Sequence, residues 1–120
     1  MYRRKEDIRV RRVENPMGGK GEVFFHDWLL PEEAPGHGRV ISKVVVTPGS
    51  EIGYHRHSGE FEAVYIIEGT ASLHDGDTFT ELHPGDMTLC RSGDFHGIAN
   101  NGSEDLVMLA LILNDLSKGC

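Results

Sequence analysis

Between Gly49 and Gly69 the chain sets two histidines, His55 and His57, one residue apart, followed five positions later by a carboxylate, Glu62. Side chains alternate faces along a β-strand, so His55 and His57 share a face. Paired imidazoles are a poor choice for a core and a good one for a metal. Glu62 lies past the turn Ser58-Gly59-Glu60, with Val64 and Ile66 on its own face. An acid among β-branched side chains is costly unless it is paired or bound to a cation, and a cation close to two imidazoles removes that cost. A fourth candidate, His96, follows the turn Ser92-Gly93-Asp94 and has Ile98 and Asn100 on its face. The other histidines, His26, His37, His74 and His83, fall in an early strand, loops or hairpin ends and read as ordinary polar residues.

These groups need a frame, and the frame reads as strands. After a segment without periodicity over residues 1–20, the sequence predicts strands over Glu22–Trp28, Arg39–Thr47, Gly53–His57, Phe61–Glu68, Thr70–His74, Thr78–Leu82, Met87–Arg91, Phe95–Asn100 and Asp105–Leu113. Turn signals such as Pro48-Gly49, Asp75-Gly76-Asp77, Pro84-Gly85-Asp86 and Asn101-Gly102 separate them. The last run is apolar throughout, which fits a strand buried on both faces; a short helix is its rival on periodicity alone. About nine short strands at close spacing, with no amphipathic helix, indicate a sandwich or barrel.

The 120 residues suffice for one domain with a real core. Net charge is −7, made of +4 over residues 1–12 and −11 over the rest. An acidic body argues against a nucleic-acid partner. No apolar run approaches the roughly 20 residues of a membrane helix. The charged N-terminus lacks the apolar core of a signal peptide, so none is expected. Two cysteines, Cys90 and Cys120, are no disulfide framework, and the cytoplasm is the simplest compartment. Residues 1–20 read as an N-terminal arm suited to a dimer contact, 21–113 as the barrel and 114–120 as a surface tail.

The motifs carry a resemblance. A glycine, five residues, His-x-His, a short spacer, Glu, six residues and Gly is the first motif of the cupins, and Gly49, His55, His57, Glu62 and Gly69 fill it. The second motif is filled by Gly85, Gly93, His96 and Asn100, with Arg91 in the place of its proline. The chain therefore resembles a small single-domain cupin, similar to one half of an oxalate-decarboxylase-type protein. This resemblance implies an all-β jelly-roll barrel, the double-stranded β-helix, and a metal on His55, His57, Glu62 and His96. It implies a homodimer, and metal-dependent chemistry on small organic acids, sugars or their derivatives. The alternatives are a sensor that binds a small ligand without turnover, and a dioxygenase.

Three neutral imidazoles and a carboxylate suit Mn, Fe, Co, Ni or Zn better than Ca or Mg, and binding preference alone does not name the metal. An octahedral ion keeps two positions open. Catalytic groups beyond the ligands are harder to place. Glu60 shares the parity of Glu62 but sits in the turn, either as a mobile acid at the barrel mouth or as a solvated residue. Arg91 shares a face with Met87 and Leu89. It meets an anionic ligand if that face lines the mouth, and is a solvent-facing turn residue otherwise. Arg39 and Lys43 stand on an apolar strand, as edge charges or as partners of a carboxylate substrate. Tyr54 and Tyr65 lie opposite the ligands and are expected in the core. Cys90 reads as a buried thiol and Asn100 as a residue that fixes backbone.

Overall fold

The strand-forming runs pair into two antiparallel sheets in a computed structural model that describes residues 1–117. Ten strands are formed: β1 (Arg9–Glu14), β2 (Glu22–Asp27), β3 (Gly38–Val46), β4 (Glu51–Arg56), β5 (Glu60–Glu68), β6 (Ala71–Asp75), β7 (Thr78–Leu82), β8 (Met87–Cys90), β9 (Phe95–Ala99) and β10 (Leu106–Asn114). One sheet runs β1-β2-β3-β10-β5-β8 and the other β4-β9-β6-β7. Among the described residues the only helical pieces are three single 3-10 turns. The architecture is the double-stranded β-helix. Part of the expected tail, residues 118–120 with Cys120, lies outside the described residues.

Period-2 alternation places the core between the sheets. Val44, Val46, Val64, Ile66, Leu106 and Met108 from the large sheet meet Ala71, Leu73 and Ile98 from the small one, all buried. The apolar run near the C-terminus is a strand: β10 pairs with β3 on one side and β5 on the other. Its inward residues, Leu106, Met108, Ala110 and Ile112, are buried, while Val107, Leu109 and Leu111 form part of the sheet's outer face. Asn100 fixes backbone as expected. Its amide donates to the carbonyls of Val46 and Glu104 at 2.8 and 2.7 Å and accepts from the Gly102 N–H.

The N-terminal segment holds a strand that periodicity does not reveal. β1 pairs with β2 along its whole length, and charges hold it there. Arg9 and Arg11 both reach the buried carboxylate of Asp27, and Arg12 reaches Glu22. Cross-strand ion pairs replace the apolar alternation of an interior strand.

Tyr54 and Tyr65 are not in the core; they are 42% and 49% exposed. Alternation does set them opposite the ligand face. The ligand face, however, is the inner one, shared with Val64 and Ile66, so the tyrosines point outward. Tyr54 stacks on His74, whose ring continues the stack to Phe79, on the outside of the small sheet.

Candidate metal centre

His55 and His96 face each other directly in the β4–β9 register, which shifts between Ile52 and His55. His57 lies just beyond β4 and is pinned through its backbone. Its N–H donates to the Asp94 carbonyl at 3.1 Å and its carbonyl accepts from the Gly93 N–H at 2.7 Å. Gly93 has φ +96°, a conformation that favours glycine, so this turn holds the His57 backbone without a proline at position 91. Glu62 comes from the opposite sheet, on β5, opposite Cys90 of β8. The cluster thus joins the two sheets: three histidines from one and a carboxylate from the other.

All four sequence-derived ligand candidates converge, with ligand atoms within 4.8 Å of one another. His57 Nε2 lies 3.1 Å from Nε2 of His55, 3.1 Å from Nε2 of His96 and 3.2 Å from Oε1 of Glu62. His96 Nε2 stands 2.8 Å from the same carboxylate oxygen. Donor atoms about 2.1 Å from a common centre and at right angles would be roughly 3 Å apart, which these edges match.

The hydrogen bonds behind the rings decide what the facing nitrogens are. His55 Nδ1 lies 2.6 Å from the Gly53 carbonyl, which can only accept, so Nδ1 carries the proton and Nε2 a lone pair. His57 Nδ1 donates to Glu60 Oε2 at 2.7 Å. A proton on His57 Nε2 can serve one neighbouring acceptor at a time; a divalent cation serves all four. The donor set therefore fits a first-row metal. Among the described residues, Nδ1 of His96 is buried without a partner, so its ring is held by packing and by Glu62.

The electrostatics agree. Burial opposes charge on Glu62, but the His57 and His96 rings outweigh it and hold its pKa at about 2. His57 is raised by its bond to Glu62, against burial and with help from Glu60, whereas burial lowers His55. Glu62 is thus held in the ionised state that a metal ligand requires.

The four residues line a cavity of about 210 Å³ with mostly apolar walls, among them Phe25, Val44, Ile52, Val64, Met108 and Ile112. Arg11 and Arg39 also line it, and Glu62 is its one lining carboxylate. Although the chain is acidic, this cavity is not. Pro16 and Met17, in a 3-10 turn pressed onto β4, close another side.

The remaining candidates sort by position. Glu60 is the first residue of β5, not a turn residue, and does not line the cavity; it stands behind His57 and pairs with Arg39. Arg39 reaches the cavity rim, while Lys43 belongs to a groove on the outer face of the large sheet. Arg91 is exposed on its turn and does not line the cavity, because Thr88 and Cys90 take the inward face of β8 and leave the face of Met87 and Arg91 to solvent. Cys90 is buried, and burial lifts its thiol to about 11. That excludes a ready nucleophile. The pairing of Arg39 with Glu60 spans 21 residues and has no local sequence signal.

Known proteins resemble this chain in sequence and fold. An oxalate-binding protein of Thermotoga maritima is 37% identical over 113 residues, spanning 94% of this chain and 93% of its own. A crystal structure from Thermotoga maritima, described as a predicted oxalate decarboxylase, superposes with a TM-score of 0.89 at 36% identity over 96% of this chain and all of the other. The polyketide cyclase RemF of Streptomyces resistomycificus shares the fold, with a TM-score of 0.76 at 19% identity over 95% of this chain and 80% of its own. The family model for the cupin domain matches residues 42–112, from the middle of β3 into β10. With all four converging side chains inside that match, which covers more than half of the chain, the chain belongs to the cupin family.

Proposed function

We propose that this cupin holds one divalent transition metal on His55, His57, Glu62 and His96 and acts on a small organic acid bound beside it. The observation that carries this reading is the convergence of four donor atoms within 4.8 Å of one another, with His57 Nε2 about 3 Å from each of the other three. When bound, the metal supplies Lewis acidity and two open positions suited to a carboxylate or carbonyl. The chain's own residues do the rest. The apolar walls exclude water; Arg11 and Arg39 also line the cavity, but each is already paired with a carboxylate, Asp27 and Glu60, so the counter-charge for an anion would come from the metal. At about 210 Å³ the cavity is smaller than the roughly 300–1,000 Å³ typical of drug-sized ligands. The oxalate-binding relative supports an acid of that size, and oxalate is the first candidate.

A specific observation favours a second reading, ligand binding without turnover. Among the residues lining the cavity, the one carboxylate is a proposed metal ligand and no other lining group is a ready general base. Elemental analysis of the purified protein tests the metal. Calorimetric titration of the loaded protein with oxalate and longer dicarboxylates tests the ligand, and assay for consumption of the bound acid separates enzyme from binder. A metal-free protein that binds acids as tightly as the loaded one would overturn the reading.

We further propose a homodimer in the cytoplasm. An antiparallel sheet with one solvated face ordinarily shows polar residues there. The outer face of the large sheet instead carries Leu109, Tyr65, Ile67 and Met87, the last three substantially exposed, an apolar area that a second copy would cover.

A further inference from the structure

The three imidazoles of the centre are held from behind in three different ways. His55 leans on a backbone carbonyl, that of Gly53. His96 Nδ1 has no partner among the described residues. Only His57 is held by a side chain: its Nδ1 donates to Glu60 Oε2 at 2.7 Å. Glu60 is itself fixed. Arg39 Nε and Nη2 donate to its two oxygens, each at 2.8 Å, in a bidentate fork. Arg39 is the second residue of β3 and Glu60 the first of β5, the two neighbours of β10, so the fork reaches across the end of the strand between them. His57 is the hub of the cluster: its ligand atom lies within 3.2 Å of each of the other three. What aims this ring therefore aims the site.

We propose that Glu60 is a positioning residue that orients His57 toward the shared metal, and that Arg39 locks Glu60 in that role. The inference rests on the metal-binding reading above. A carboxylate on the far nitrogen of a ligating imidazole fixes its tautomer and ring orientation and raises its basicity, and losing such a partner costs about 10–100-fold in metal affinity. Glu60 is poorly placed to be a mobile acid, since both oxygens are engaged and it does not line the cavity. Arg39, by the same token, is a clamp before it is an anion receptor.

The test compares the parent with Glu60→Ala, Glu60→Gln and Arg39→Ala in the full chain. Zinc and cobalt affinity is measured by competition with a chromophoric chelator, and the visible spectrum of the cobalt-loaded protein reports ligand geometry. Glu60→Ala should weaken metal binding by about 10–100-fold and alter the cobalt spectrum. Glu60→Gln, which keeps an acceptor for Nδ1–H, should restore most of the affinity and the parental spectrum. Arg39→Ala should fall between them. A merely structural role would lower the melting temperature of the metal-free protein and leave affinity and spectrum alone; that outcome overturns the proposal. Should Glu60→Ala fail to fold, the other two variants carry the comparison, and parental affinity in Arg39→Ala counts against the clamp. A parent that takes up no metal sinks the underlying reading and this proposal with it. A parent that loads while a folded Glu60→Ala loads equally sinks this proposal alone.

Discussion

The Nε2 atoms of His55 and His57 lie 3.1 Å apart while their Nδ1 atoms are committed to acceptors on the far side, Gly53 and Glu60. Two imidazole lone pairs at that separation repel unless positive charge sits between them. A proton satisfies one such contact, but His96 and Glu62 crowd the same point. The fold has therefore concentrated electron pairs where only a multivalent cation relieves them all. This is why the metal reading depends on hydrogen bonds outside the cluster as much as on the cluster itself.

His57→Ala should remove most bound metal, because the hub of the four donor atoms is lost. Metal that binds the native state alone adds about 2.7 kcal/mol at a hundredfold excess over its dissociation constant. The parent should thus lose several degrees of melting temperature on chelation, and the variant should not respond. Elemental analysis and melts with and without chelator decide it; equal metal content in variant and parent would sink the ligand assignment.

Gly53→Ala should be destabilising without touching a ligand side chain. A Cβ at that position would stand 2.2 Å from the Met17 carbonyl oxygen and 2.8 Å from the Gly19 nitrogen, both backbone atoms. The turn around Met17 closes the cavity, and the carbonyl of residue 53 orients His55. Overpacking of this kind costs about 1–3 kcal/mol. Denaturant melts should show the loss in metal-free protein, with weaker metal binding besides. A neutral result would show that the Met17 turn is not pressed against β4.

The ligands were legible because they lean on local regularities. Alternation puts His55 and His57 on one face, and motif spacing adds Glu62 and His96. Strand runs and glycine turns gave the two-sheet class. Alternation separates two faces but does not say which is inside, and so Tyr54 and Tyr65 were expected in the core. β1 was invisible because its cohesion comes from Arg9, Arg11 and Arg12 meeting acids between 10 and 18 residues away, not from apolar period. Glu60 looked like a turn residue for the same reason: what fixes it is Arg39, brought near by the β3-β10-β5 order.

The proposed dimer makes Tyr65 and Met87 buried residues in solution. Paired on adjacent strands β5 and β8, they form the exposed apolar end of the large sheet's outer face. The double substitution Tyr65→Lys with Met87→Lys should yield monomers in sedimentation velocity and leave metal content unchanged, since neither residue lines the cavity. A parent that sediments as a monomer would remove the premise.

Asp27 should make stability fall in acid. Its carboxylate is buried, which alone would raise its pKa; hydrogen bonds from Arg11, Ser42 and Arg9 outweigh burial and hold it at about 2, below its ordinary 3.8. Because the folded-state pKa is the lower one, the native state resists protonation. The contribution is whole above about pH 4 and is lost as pH falls through the folded value near 2. Its size is on the order of 2 kcal/mol, less at high salt because Arg9 and Arg11 are partly exposed. Asp27→Asn should lose that stability at neutral pH, leaving two guanidiniums without their shared counter-charge. The gap between parent and variant should hold above about pH 4 and narrow as pH falls toward 2. Other acids titrate in the same range, Glu62 among them, so the difference between the two proteins is the quantity to measure, by urea melts of both at each pH in the presence of chelator. A gap that stayed constant with pH would mean that Asp27 contributes through shape and not through charge, and that its pairing with Arg9 and Arg11 does not hold β1 to β2.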